Sequence, residues 1–224
     1  FDYTRTKNPT RLTLEKTLAK IEKADYALVT SSGMAALVLL FNSFPEQSKI
    51  VAARDLYGGS FRWFNEQEKK GRYFFTYTNT EEDMLAAIGE DTDYVFIETP
   101  TNPLMVEFDI AKVAEKAHAH GAKVIVDNTF YSPIYQNPIA LGADIVLHSA
   151  TKYLNGHSDM VGGIAVVEPV FTIPGLGRLL VDAIFARDYP VIQGCMLFVA
   201  FTYVLVNLVI DLCYPVFDPR VTAQ

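Results

Sequence analysis

The stretch His148-Ser149-Ala150-Thr151-Lys152-Tyr153-Leu154-Asn155-Gly156-His157 follows directly on an apolar run, Ile145-Val146-Leu147. A lysine therefore stands just beyond what reads as a strand end, flanked by the hydroxyls of Ser149 and Thr151. An amine in that place can form a Schiff base with an aldehyde cofactor, while hydroxyls beside it hold a phosphate. Many strands end in Ser, Thr and Lys, so the meaning of the stretch depends on what lies upstream.

Upstream, apolar strands alternate with amphipathic helices from about residue 10 to 168. Leu14, Leu18 and Ile21 share one face of a first helix. Strands are predicted over Tyr26–Val29, Lys49–Ala53, Arg72–Tyr77, Asp93–Glu98, Ala122–Asp127, Asp144–His148 and Gly163–Val167. Helices are predicted over Gly33–Phe44, Thr80–Ile88, with Thr80 and Asp83 as a capping pair, and Asp109–His120, closed by Gly121. Such alternation predicts an α/β fold: a mostly parallel sheet with helices on both faces. Ligands of such sheets gather at the carboxyl ends of the strands.

Four further candidates fall at those strand ends. Asp127 closes Val124-Ile125-Val126, where a carboxylate can pair with a protonated ring nitrogen; the alternative is a helix cap or turn aspartate. Ser31-Ser32-Gly33-Met34-Ala35-Ala36 lies at a strand-to-helix junction, where helix N-terminal amides bind phosphate; the alternative is an ordinary serine cap. Tyr57, in Leu56-Tyr57-Gly58-Gly59-Ser60, could stack on a flat ring or be a core tyrosine. Asn102, in Glu98-Thr99-Pro100-Thr101-Asn102-Pro103, could bond a phenolic oxygen or simply form an Asn-Pro turn. Taken together with Lys152, these sites supply what one cofactor, pyridoxal 5'-phosphate, requires: phosphate cradle, stacking ring, oxygen partner, pyridinium partner and anchoring amine.

Composition narrows the class. Half of the 224 residues are hydrophobic and 20% are charged, enough for a proper core. A net charge of -7 argues against a nucleic-acid partner, whose binding face would be basic. The two cysteines, Cys195 and Cys213, leave the body without a disulfide framework, which fits a cytoplasmic setting for this part. The opening Phe1-Asp2-Tyr3-Thr4-Arg5 has neither a secretory pattern nor an initiator methionine, and reads as a truncated start. The sequence suggests no metal site: His118 and His120 point to different faces of a helix and are expected to face solvent.

Residues 1 to about 168 closely resemble the family of cystathionine γ-synthases and cystathionine β- and γ-lyases, the Cys/Met-metabolism group of fold-type I pyridoxal-phosphate enzymes. The resemblance rests on Tyr3-Thr4-Arg5 with Asn8-Pro9-Thr10, Ser32-Gly33-Met34-Ala35, Tyr57-Gly58-Gly59, Glu98-Thr99-Pro100-Thr101-Asn102-Pro103, Val126-Asp127-Asn128-Thr129 and His148-Ser149-Ala150-Thr151-Lys152-Tyr153, in family order. It implies Lys152 as Schiff-base lysine and proton shuttle, and Asp127 as pyridinium partner. Ser149, Thr151 and the amides of Gly33 and Met34 would hold the phosphate. Tyr57 would stack on the ring and assist proton transfer or leaving-group chemistry. Asn102 would contact the ring oxygen, and Thr129 would support the ring's other face. The residues matching Tyr3 and Arg5 would reach the phosphate of a neighbouring subunit, so self-association as a dimer or tetramer is implied. The implied chemistry is elimination or replacement at Cβ or Cγ of sulfur amino acids or activated homoserine. The resemblance also implies that the large domain is truncated here and that the family's smaller C-terminal domain is missing.

After about Glu168 the character changes. Phe171 to Ile184, Arg187-Asp188-Tyr189-Pro190 and Asp218-Pro219-Arg220 resemble the end of a dipeptide/oligopeptide ABC-transporter permease, covering about residues 169 to 222. Val191 to Ile210 carries no formal charge, a length and polarity that suit a membrane-spanning helix; the alternatives are a buried core helix or an aggregating tail. The expectation is thus a partial cofactor-binding domain over 1–168 and a mostly helical apolar tail over 169–224, joined between Val167 and Phe171. Membrane contact is expected through 191–210.

Overall fold

The computed structural model describes residues 8–167. The chain begins with α1 (Pro9–Ile21), where the Asn8 side chain accepts from the Thr10 and Arg11 amides and Pro9 occupies a position that needs no donor. It continues through β1 (Tyr26–Thr30), α2 (Gly33–Phe41), β2 (Ser48–Ala53), α3 (Gly58–Lys69) and β3 (Tyr73–Thr78). Next come α4 (Glu81–Ala87), β4 (Tyr94–Glu98), α5 (Ile110–Ala119), β5 (Lys123–Asp127), the short α6 (Ser132–Tyr135), β6 (Ile145–His148) and β7 (Gly163–Val167).

The strands make one seven-stranded sheet in the order β1-β7-β6-β5-β4-β2-β3. Neighbours from β3 to β6 pair in parallel. β7 is the exception, running antiparallel to both β6 and β1. Its reason is the connection before it: no helix lies between His148 and Gly163, so the chain returns from the end where it emerged instead of crossing over. The central strands β4 to β6 are apolar and buried on both faces, as parallel strands must be.

Alternation along β6 and β7 separates two cores. Ile145, Leu147 and Ala165 join α2 residues Ala36, Leu37, Leu40 and Phe41 in the larger cluster. Val146, Ile164 and Val166 join Leu18 and Ala19 of α1 in the smaller one. Helices therefore cover both faces here, as the period-two pattern requires. Phe41 is the hub of the larger core, fully buried against the rings of Phe44, Trp63, Phe64, Tyr73, Phe75 and Phe96.

Several sequence expectations need adjusting. The helix expected to reach Phe44 ends at Phe41, with Asn42 as its cap and Pro45 barring continuation. Of the row Leu14, Leu18 and Ile21, only Leu18 is buried; the inward face of this segment is Leu18, Ala19 and the capping residue Glu22. The Asp83 amide does donate to Thr80 Oγ1, at 3.1 Å, and Gly121 follows α5 with φ of +74°. No helix among the described residues is long and apolar enough to cross a membrane. The stretch 191–210 lies outside the described residues, as do Tyr3 and Arg5.

Truncating the hub should be costly: Phe41→Ala is expected to lose about 3–5 kcal/mol of folding stability, read from denaturant unfolding midpoints.

Candidate functional site

Parallel strands deliver their carboxyl ends to one rim, and a cleft of about 600 Å³ opens there. Gly33, Met34, Tyr57, Asn102, Asp127, Thr129, Ser149, Thr151 and Lys152 all line it. Every site residue expected from the sequence within 8–167 is thus in one place. The expected roles of Tyr3 and Arg5 fall outside the described residues.

One wall is the start of α2. Ser32 caps it, its Oγ accepting from the Ala35 amide at 3.1 Å, and helix geometry leaves the first amides without partners inside the helix. Gly33 sits where a Cβ would lie 2.8 Å from Ser149 Cβ and 3.0 Å from Ser149 Cα. On its other side, a Cβ at Gly163 would lie 2.0 Å from the Ser32 carbonyl oxygen. Both glycines let the helix start, the turn after β6 and the start of β7 meet at backbone distance. Only Gly33 was legible beforehand, since Gly163 lies in a strand pattern.

The floor is a relay of hydrogen bonds. The Ser149 amide donates to Thr129 Oγ1 at 2.8 Å, and that hydroxyl donates to Asp127 Oδ1 at 2.5 Å. The Thr129 amide also donates to Asp127 Oδ1, at 3.0 Å. Thr129 thereby ties the turn after β6 to the end of β5. Thr151 is engaged elsewhere: its hydroxyl donates to the Gly162 carbonyl at 3.2 Å and accepts from the Gly162 amide at 3.0 Å. Its single proton is therefore committed within the turn, and serving an anion would mean exchanging that bond. Lys152 is exposed and makes no ion pair among the described residues.

Two carboxyl groups stand side by side. Glu98 and Asp127 end adjacent strands and pair in register. Burial pushes the Asp127 carboxyl up, against the two hydrogen bonds from Thr129 and the attraction of His148. Burial first, and Asp127 second, push Glu98 up to about 8, against the bond from the Tyr57 amide. That amide donates to Glu98 Oε2 at 2.7 Å and places Tyr57 at the head of α3.

Behind the lysine turn, His148 Nε2 donates to Glu22 Oε1 at 2.5 Å, both side chains about 1% exposed. The residues are 126 apart in sequence, so no local pattern announces the pair. The helical histidines meet carboxylates rather than water alone: His118 faces Asp144 and His120 faces Glu90, each at 3.0 Å. No cluster of three or more potential metal-ligating side chains exists among the described residues.

A model of the Cys/Met metabolism PLP-dependent enzymes matches residues 1–174. The chain belongs to this family. Cystathionine gamma-synthase/O-acetylhomoserine (thiol)-lyase of Bacillus subtilis is 48% identical over 170 residues, covering 75% of this chain and 46% of the relative. Cystathionine gamma-synthase of Escherichia coli is 45% identical over 170 residues, covering 75% and 44%. Among solved structures, cystathionine gamma-lyase of Lactobacillus plantarum, complexed with L-serine, aligns with a TM-score of 0.72 at 41% identity, covering 80% of this chain and 46% of that one. The chain thus spans about half the length of the relatives it matches. A second model, the binding-protein-dependent transport system inner membrane component, matches residues 145–223. The two matches share 145–174, and within that overlap β6 and β7 are strands of the family's sheet.

The family's cofactor is pyridoxal phosphate, and the cleft fits it. Asp127 makes no ion pair among the described residues, which leaves its carboxyl available to a pyridinium. The α2 amides open where Gly33 leaves no Cβ, and the Lys152 amine, without an ion pair among the described residues, lines the same cleft. Gly33→Ala should push α2 off the Ser149 turn. It is expected to cost about 1–3 kcal/mol of stability in denaturant unfolding and to weaken pyridoxal phosphate binding in a titration.

Proposed function

We propose that residues 8–167 are the cofactor-binding part of a pyridoxal-phosphate transsulfuration enzyme of the cystathionine γ-synthase or cystathionine β/γ-lyase type. Its substrates would be sulfur amino acids or activated homoserine, processed by elimination or replacement at Cβ or Cγ. The observation carrying this reading is the convergence on one cleft of residues expected from five separated motifs.

When bound, pyridoxal phosphate supplies an electron-withdrawing ring that stabilises negative charge at the substrate Cα. In this reading the Nζ of Lys152 anchors the aldehyde and moves the proton at Cα. The carboxylate of Asp127 keeps a ring nitrogen protonated, and Thr129 holds that carboxylate in place through its two hydrogen bonds. Ser149 and the Gly33 and Met34 amides bind phosphate, with Thr151 joining them if it releases Gly162. Tyr57 covers the ring and Asn102 bonds the ring oxygen.

A second copy would complete the site through Tyr3 and Arg5. The exposed Leu104, Met105, Ile134, Tyr135, Tyr153 and Val161 lie in the connections after β4, β5 and β6, and an apolar rim of this kind favours self-association. This part would work in the cytoplasm.

With pyridoxal phosphate, the full chain should develop a visible absorption band that borohydride fixes onto Lys152, located by peptide mass. Lys152→Ala should abolish both the band and the label; a label on another lysine would defeat the assignment.

The match over 145–223 supports a second element of the reading. Residues 169–224 would be a permease-derived tail, mostly helical, with 191–210 entering a membrane. The chain as a whole would then be a fusion of a truncated enzyme with a transporter fragment, and an inactive product is the rival outcome. Flotation with lipid vesicles should carry the full chain upward and leave a chain ending at Glu168 behind. Equal sedimentation of the two would remove the membrane role.

A further inference from the structure

The Glu98 side chain has no role in the chemistry assigned to the cleft, yet it is 3% exposed, lines the cleft and reaches the loop that carries Tyr57. Its position is set by the sheet. In-register pairing of β4 with β5 puts Glu98 beside Asp127 at the same rim. Two carboxylates held together away from water, with no cation bonded to either among the described residues, cannot both stay ionised cheaply. Protonation of one of the two relieves that cost, and the donors present decide which. Asp127 Oδ1 receives two hydrogen bonds from Thr129, which favour its ionised form. Glu98 receives one, from the Tyr57 amide, a bond that a neutral carboxyl oxygen accepts as well.

We propose that Glu98 is a positioning residue which, as a neutral acid, holds the Tyr57 turn over the cleft and leaves Asp127 as the anion that meets the cofactor's ring nitrogen. The proposal deepens the pyridoxal-phosphate reading and rests on it for the identity of that cation. The groups around Glu98 are consistent with it. Asp127 faces it from β5, and Asp55 and the Tyr57 amide from the connection before α3. Ser60 of α3, together with His148 and Lys152 from β6 and its turn, line the same cleft. The negative neighbours Asp127 and Asp55 oppose ionisation, and the opposing pull is the single amide.

Glu98→Gln mimics the neutral acid, while Glu98→Ala removes both the acceptor and the proton. With the full chain at pH 7, pyridoxal phosphate titrations should give Glu98→Gln an affinity close to that of the parent. Glu98→Ala should bind about tenfold more weakly, the equivalent of one lost buried hydrogen bond. Folding stability supplies a readout independent of the cofactor. A carboxyl whose folded form holds its proton longer than the unfolded chain contributes stability that is complete at low pH and lost as pH rises. The parent's unfolding midpoint should therefore fall relative to that of Glu98→Gln between the ordinary glutamate value of 4.5 and about 8. A Gln variant as weak as the Ala variant would show that charge is required, and would overturn the proposal. So would an Ala variant as tight as the parent, or parent and Gln midpoints that run parallel across this pH range. If the parent bound no pyridoxal phosphate, the reading of the cofactor would fail, and the midpoint comparison would still judge the charge state of Glu98.

Discussion

The parallel register of β4, β5 and β6 is the constraint on which the rest of this chain depends. It brings Glu98, Asp127 and His148 to the same rim, one at the end of each strand. A rim of titratable groups next to a buried sheet is expensive in desolvation, and each group here is given a hydrogen-bond partner. Glu98 takes the Tyr57 amide from the head of α3. Asp127 takes Thr129, and His148 takes Glu22 from the end of α1. Tyr57 and Glu22 stand at helix ends, so these two bonds also tie α3 and α1 to the sheet rim.

That arrangement explains why two parts of the sheet differ so much in character. Away from the rim, the central strands are apolar runs, and the aromatic cluster around Phe41 supplies burial, with the buried Tyr73 hydroxyl donating to the Phe41 carbonyl. At the rim, Gly33 and Gly163 let backbone meet backbone, and Gly33 also borders a cleft lined by donors, an amine and two carboxyl groups. The apolar interior tolerates the electrostatic cost of the rim, as functional sites commonly require.

The two family matches overlap on residues that can adopt only one structure. Within 145–167 the chain forms β6 and β7, and β7 closes the sheet by pairing with β1 on its far side. Those strands carry the Ser149–Lys152 turn between them, so the cleft needs the sheet through Val167. The match to a transport component begins at residue 145, and over 145–167 it falls on strands that belong to this sheet. A chain that spans about half of its relatives' length nevertheless brings Glu98, Asp127, His148 and the lysine turn together at one cleft.

Much of the fold was legible in the sequence because its strands are short apolar runs bounded by turn residues, and its helices carry caps such as Thr80 and Asp109. The site candidates were legible for a related reason: each lies just past a strand, where parallel topology must collect it. Local pattern could not show what depends on contacts between distant segments. Leu14 and Ile21 fit an inward helical row yet are exposed, while Glu22, charged and at a helix end, is buried because His148 reaches it from 126 residues away. The antiparallel turn of β7, the commitment of Thr151 to Gly162 and the pairing of Glu98 with Asp127 were likewise decided by tertiary structure. A sequence displays periodicity and residue type, which act over a few positions; hydrogen-bond partners and the company of buried charges are set by which strand ends become neighbours.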